Sequence, residues 1–200
     1  MKTLVIKGRF TNMVLGTMSS DPEIQERFIS NKAPDAKSIK EEVASIGVDE
    51  VVERSTTIFP RNENGEVFMY GYMFKGFLKN AARALARVDG TVAKGTKAYI
   101  KILTDTVFVK DRQINVSFNG KPIKEVGNLQ RPLRAQTAQG DRVALANSET
   151  IPEGAEFIVT LKLLDEKYLP LVMECLEYGE LQGLGQWRNA GFGTFECEVA

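Results

Sequence analysis

The residues best equipped for chemistry are those of GLGQWRNAGFG, positions 183–193. Four glycines, Gly183, Gly185, Gly191 and Gly193, bracket an indole and a guanidinium, Trp187 and Arg188. Glycine reaches positive φ and lets another backbone approach closely. Successive amides in such a loop form an anion-binding nest. Trp187 offers a stacking face and Arg188 a fixed charge, which together suit a base and its phosphate. A second reading stays open: a wide loop that closes a helix onto a sheet edge, with Trp187 as a plug in the core. The spacing is not that of nucleotide enzymes. There is no GxxxxGK followed by Ser or Thr, and no GxGxxG, and this loop leads into a strand rather than a helix.

Two further groups are basic. Lys75, Lys79, Arg83 and Arg87 recur every fourth residue, a single stripe along a helix. Lys121, Lys124, Arg131, Arg134 and Arg142 crowd a Gln-containing stretch and suit a phosphate backbone. Both groups also read as solvated surface. Other chemistry is excluded. The chain has no histidine, which removes His-based triads, histidine acid–base catalysis and His-containing zinc sites. Cys175 and Cys197 are its two cysteines and form no CxxC, so neither a cysteine metal cluster nor a disulfide scaffold is available. No carboxylates gather at metal-ligand spacing, and no cofactor is expected. Lys7 and Arg9 interrupt the apolar N-terminal stretch, against a signal peptide or membrane helix. The expectation is a cytoplasmic protein without membrane contact.

The elements that must position these groups follow from patterning. Residues 3–10 read as a first strand. Residues 54–72 read as a hairpin around Asn64-Gly65. Phe74, Phe77, Leu78, Ala81, Ala82 and Leu85 share one helical face. Residues 98–103 and 106–118 read as strands, with Asn119-Gly120 as a turn. Residues 119–141 read as a long basic loop, followed by strands at 141–146 and 155–164. A helix over 166–178 precedes the glycine loop, and a strand over 193–199 ends the order. Residues 20–53 stand apart as a helical, acidic insertion. They hold nine acids and four bases, a net −5, and since 26 bases balance 26 acids overall, the remainder carries +5. The fold class is α+β, an antiparallel sheet with helices on one face.

Three segments resemble one family. STTIFPRNENGEVFMYGYMFKGFLKNAARAL, residues 55–85, has a strand, an Asn-Gly turn and a basic helix opened by a Lys-Gly pair. RVALANSETIPEGAEF, residues 142–157, has a strand, an Ile-Pro-x-Gly turn and a second strand. The loop at 183–193 fits Gly-x-Gly-x5-Gly-x-Gly, with Phe192 between the last two glycines. In combination these are similar to the RAMP superfamily of CRISPR-associated proteins, most of all the backbone subunits that line guide RNA in effector complexes. The resemblance implies one RAMP-like domain over 1–200, with a ferredoxin-like (RRM-like) core, and the acidic insertion reaching a neighbouring subunit. It implies RNA contacts by the sheet and by the glycine loop, and with the basic groups read above the candidate RNA-binding residues are Lys75, Lys79, Arg83, Arg131, Arg134, Gly183, Gly185, Trp187, Arg188, Gly191 and Gly193. Ser55-Thr56 stand where target-cleaving subunits carry aspartate, and no histidine replaces it, so nuclease activity is not expected. Two functions remain open. One is a non-catalytic protein of antiviral defence that docks or polymerises along a single-stranded, guide-type RNA. The other is a phage-type interaction module that mimics an effector subunit and contacts CRISPR-type proteins. The charge split favours head-to-tail self-association in either case.

Overall fold

The structure is a computed structural model that describes residues 1–20, 56–137 and 140–200, with side chains described outside 132–145. The expected helical insertion at 20–53 lies outside the described residues, apart from Ser20. The chain divides into two compact units. The first comprises Met1–Val14, Pro60–Glu125 and Ile151–Ala200, and the second Leu15–Phe59 and Val126–Thr150.

The first unit holds the helices and the larger sheet. Strand β1 is Lys2–Phe10. It alternates as its sequence demands: Leu4, Ile6, Gly8 and Phe10 turn inward, while Thr3, Lys7 and Arg9 turn outward. The other strands of this sheet are β5 (Phe68–Tyr70), β6 (Val107–Val109), β7 (Gln113–Phe118), β8 (Lys121–Pro122), β11 (Glu156–Leu163) and β12 (Phe195–Val199). The helices are α1 (Gly71–Leu85), α2 (Val92–Gly95), α3 (Tyr99–Thr106) and α4 (Leu169–Glu177). The sheet order is β12-β1-β11-β7-β5, and each neighbouring pair is antiparallel. Along the chain, β1-α1-β7-β11-α4-β12 is a βαββαβ unit, and its spatial order places the last strand beside the first. This is the ferredoxin-like, α+β arrangement expected from the resemblance.

Five phenylalanines fill the space between sheet and helix. Phe10 and Phe157 lie 5.0 Å apart between ring centroids, Phe157 and Phe195 5.3 Å, and Phe77 and Phe195 5.0 Å. Phe74 joins the same cluster, 6.0 Å from Phe157. Edge-on and tilted contacts of this kind add to the burial of large apolar surfaces. Helix α1 meets the cluster with the face read from its spacing, Phe74, Phe77, Leu78, Ala81 and Ala82, all buried.

The second unit is built around a smaller sheet. Its strands are β2 (Val14–Leu15), β3 (Met18–Ser19), β4 (Thr57–Ile58), β9 (Gly127–Thr137) and β10 (Gly140–Ile151). Here the sequence expectations need correction. Residues 119–141 are not a long loop. β8 lies within them, and β9 pairs with β10 along its length, from Gly127 opposite Thr150 to Thr137 opposite Gly140. Pro132 and the glutamines hide the strand period, and Pro is tolerated because, among the described strands, β9 pairs with β10 alone, as an edge strand does. Residues 54–72 form a hairpin only close to its turn, where Arg61 is bridged antiparallel to Val67 and Phe68 N–H donates to Pro60 O at 3.1 Å. The Asn64-Gly65 turn is present, with Gly65 at φ 74° and Asn62 N–H donating to Glu66 O at 2.9 Å. However, β4 pairs with β3 and β10, and β5 pairs with β7. Residues 99–106 are helix α3 rather than a strand.

Candidate nucleic-acid interface

The glycine loop lies between α4 and β12 and is clasped by the segment that follows β1. Leu184 N–H donates to Gly193 O at 2.9 Å, Gly193 N–H to Met13 O at 2.9 Å, and Thr11 N–H to Thr194 O at 2.9 Å. Thr11 Oγ1 donates to Thr194 Oγ1 at 2.8 Å. The outer glycines are required by crowding. A Cβ on Gly183 would overlap the Gly193 carbonyl, and one on Gly193 would overlap the Leu184 carbonyl. Gly185, Gly191 and Gly193 also take positive φ, at 89°, 84° and 72°.

This frame sets the posture of the residues between. Trp187 itself stands in the left-handed region at φ 56°, where only glycine is at ease. Its ring lies parallel to that of Phe192, centroids 5.5 Å apart and planes within 11°. Trp187 is 42% exposed, so it is not a core plug. Arg188 begins a single turn closed by Gly191 N–H donating to Arg188 O at 3.0 Å. The loop therefore presents an indole backed by a second ring, a half-exposed guanidinium and a glycine-rich backbone. Phe192 entered the sequence reading as part of a pattern; its role as the ring under Trp187 is decided by the αL turn.

The other candidates are placed differently. Lys75, Lys79 and Arg83 project from α1 away from its apolar face. Lys75 is tied down. Its ammonium donates to Thr104 O at 3.2 Å and to Val107 O, at the C-terminal end of α3, and sits 5.4 Å from the Phe108 ring centroid. Burial pushes its pKa below the usual lysine value, Lys79 adds to that, and Asp105 opposes it. Lys79 is half-buried, and Arg83 is exposed beside Asn80. Arg131 and Arg134 belong to β9 in the second unit. Arg131 is no loop cation: it is 8% exposed and its Nη1 donates to Ser148 Oγ at 3.1 Å. Burial lowers its pKa.

The open face of the larger sheet carries a shallow trough of about 590 Å³ lined by Lys7, Arg9, Glu156, Ile158, Glu196 and Glu198, among others. Arg9 stands between Glu156 and Glu196 on the flanking strands, and Lys7 between Ile158 and Glu198. Strand β1 was legible from its composition, but the neighbours of Lys7 and Arg9 across the sheet were not. Both thiols are held neutral by burial first, Cys175 pushed up to about 12 and Cys197 to about 11. Among the described residues, no three His, Cys, Asp or Glu side chains gather as a metal would need, and no helix is long and apolar enough to cross a membrane.

No family model and no curated protein sequence matches the chain. Solved structures do match. One is a chain of the type III-B Cmr-beta complex bound to cognate target RNA, seen by cryo-EM. The TM-score is 0.50 at 10% identity, over 99% of this chain and 61% of that one. Another is a chain of a type IV-B CRISPR complex, with TM-score 0.47, 11% identity, and coverage of 100% and 90%. This chain thus spans about three fifths of the Cmr-beta chain, and what it shares with that chain of a CRISPR effector complex is its fold.

Proposed function

We propose that this protein is a non-catalytic, RAMP-like RNA-binding protein that docks along a single-stranded, guide-type RNA. The glycine loop, with half-buried Lys79 and exposed Arg83 of the α1 stripe, makes the contacts. The observation that carries the reading is Trp187. It is a large aromatic left partly in water, held in an unfavourable backbone region and stacked on Phe192, beside Arg188. Strain kept at a surface position points to use of that position. The fold shared with a chain of an RNA-bound complex supports the same reading. Cleavage is not part of it, since neither a histidine nor the family's aspartate is present.

Affinity for a single-stranded oligonucleotide, measured against salt and with loop variants, tests this. Backbone-dominated binding falls by about 0.7 log units per log unit of salt for each phosphate neutralised. Trp187→Ala should lose about 1–3 kcal/mol of binding. Arg188→Ala should keep the fold and lose nucleic-acid binding. Salt-insensitive binding overturns the reading.

One observation favours the second function, a module that contacts CRISPR-type protein subunits. The trough on the open sheet face offers three glutamates against Lys7 and Arg9, with Ile158 57% exposed among them. Full retention of RNA binding by both Trp187→Ala and Arg188→Ala puts that function first.

A further inference from the structure

The outer edge of the larger sheet carries a second group of residues with ligand chemistry. Tyr70 closes β5 and Tyr72 lies in the first turn of α1. Their rings stack, with centroids 5.4 Å apart and planes within 17°. Tyr70 also meets Phe68 edge-on, at 5.1 Å between centroids. Phe68 is buried, whereas Tyr72 is 60% exposed. The row of rings is anchored in protein at one end and open to water at the other. Burial, and then its neighbour Tyr70, raise the Tyr72 pKa above the usual tyrosine value, so the phenol is neutral at physiological pH.

A polar pocket of about 360 Å³ is lined by Arg61, Asn62, Glu63, Asn64 and Gln113. Its size falls in the range that holds a small ligand. Gln113 links pocket and rings, because it is the direct cross-strand partner of Tyr70, and such partners share a face. The turn that forms the rest of the pocket is fixed from within. Asn62 Oδ1 accepts from the N–H groups of Asn64 and Glu66, both at 3.0 Å, and its Nδ2 donates to Glu66 Oε2 at 2.9 Å. Asn62 is therefore committed to shaping the turn, while Arg61, Glu63, Asn64 and Gln113 are exposed around the pocket.

A nucleobase needs a ring to stack on and polar groups along its edge. The stacked tyrosines, joined through the Tyr70–Gln113 pair to a pocket whose turn adds a carboxamide, a carboxylate and a guanidinium, supply both. The carboxylate adds direction, because it accepts from an exocyclic amine but repels a carbonyl oxygen. We propose that Tyr72, Gln113 and the turn Arg61–Asn64 form a binding site for one unstacked nucleobase, preferring a base with an exocyclic amine. Tyr72 stacks on the base, Glu63 accepts from its amine, Asn64 and Gln113 bond its remaining edge, and Arg61 serves the attached phosphate. The site shares no residue with the glycine loop and does not rest on that loop's role.

The test uses the full chain with a short oligocytidine carrying one 5-iodocytidine, irradiated and mapped by mass spectrometry, and with oligocytidine and oligouridine in equilibrium binding. A crosslink within Tyr70–Tyr72 is expected. Tyr72→Ala should weaken oligocytidine binding roughly five- to a hundredfold, the value of one stacked base, and Tyr72→Phe should bind as the parent does. Glu63→Gln should shrink the preference for cytidine over uridine. Competition by cytidine monophosphate identifies a free nucleotide as sufficient, and its failure to compete identifies a base delivered on a chain; both support the site. Unchanged binding by Tyr72→Ala, with crosslinks confined to 183–193, overturns this site and leaves the glycine loop standing. Loss of binding in Tyr72→Ala with none in Arg188→Ala does the reverse. No binding of either oligonucleotide or of the mononucleotide by the intact protein overturns both.

Discussion

A tryptophan at φ 56° sits where an L side chain is penalised by about 1–2 kcal/mol and glycine is not. Two separable quantities therefore meet at Trp187: backbone strain, which any non-glycine residue keeps, and ring stacking on Phe192, which only an aromatic provides. Trp187→Gly and Trp187→Ala both remove the stack, but only the glycine variant relaxes the backbone. Denaturant unfolding should find Trp187→Gly more stable than Trp187→Ala by about 1 kcal/mol, with equal losses in RNA binding. Equal stability of the two variants would show that the left-handed posture carries no strain. The glycine spacing in 183–193 made a special backbone legible in advance. Which side chain occupied the strained position, and which ring lay under it, was not legible. Both follow from the clasp between Gly193, Met13 and Thr11, residues far apart in the chain. Tyr70 and Tyr72 went unread for a related reason. Their stack joins a strand end to a helix start, and neither period predicts that contact.

Helix α1 shows how an element divides the labour of one stripe. Spacing by four predicted Lys75, Lys79, Arg83 and Arg87 on one side of the helix; the first three lie within α1, whereas Arg87 falls beyond its last residue, Leu85, and the buried apolar side is as read. The stripe is nevertheless not uniform, because α3 packs beside its first turn and takes Lys75 as a donor for its C-terminal carbonyls. A cation there also suits the negative end of a helix. Lys75→Met should accordingly cost about 1 kcal/mol of stability while leaving the salt slope of RNA binding unchanged. Lys79→Ala and Arg83→Ala should each reduce that slope by about 0.7 and leave the melting temperature in place. A slope lowered by Lys75→Met as much as by Arg83→Ala would return Lys75 to the RNA. The strand reading of 98–103, which is helix from Tyr99 onward, belongs to the same scale. Tyr99-Ile100-Lys101-Ile102 alternates like a strand, but the segment is a two-turn helix, and short apolar runs do not separate the two states by period alone.

At the scale of the whole molecule, zero net charge conceals a division, −5 over residues 20–53 and +5 elsewhere. Opposite charges on separate segments of one chain are the ground for expecting a heterologous, head-to-tail contact, a type that extends into filaments when it does not close. Replacing Glu41 and Glu42 by lysine should weaken self-association at low salt, and sedimentation unchanged by that replacement would count against it. The α+β class was readable because its signals are local: the strand composition of β1, the apolar faces of α1 and α4, and the glycines ahead of β12; the ferredoxin-like order of the core was implied only by the family resemblance. The absence of histidine and of a paired cysteine motif likewise narrowed the chemistry from composition alone. What the sequence did not reveal is the second compact unit, Leu15–Phe59 with Val126–Thr150, assembled from the two long insertions between core elements. Its strand β4 pairs with β3 across some forty residues of chain and with β10 across some ninety, as Thr57 does with Ser148. Strand β9 reads locally as a basic loop, because Pro132 and interspersed glutamines break the period of two. Arg131, exposed by every local rule, is buried because Ser148, itself linked to Thr57, waits across the sheet to accept its guanidinium. Local periodicity is written into a sequence by the geometry of single elements, whereas pairing between distant segments is settled by which backbone donors, acceptors and charges find partners once the chain is compact.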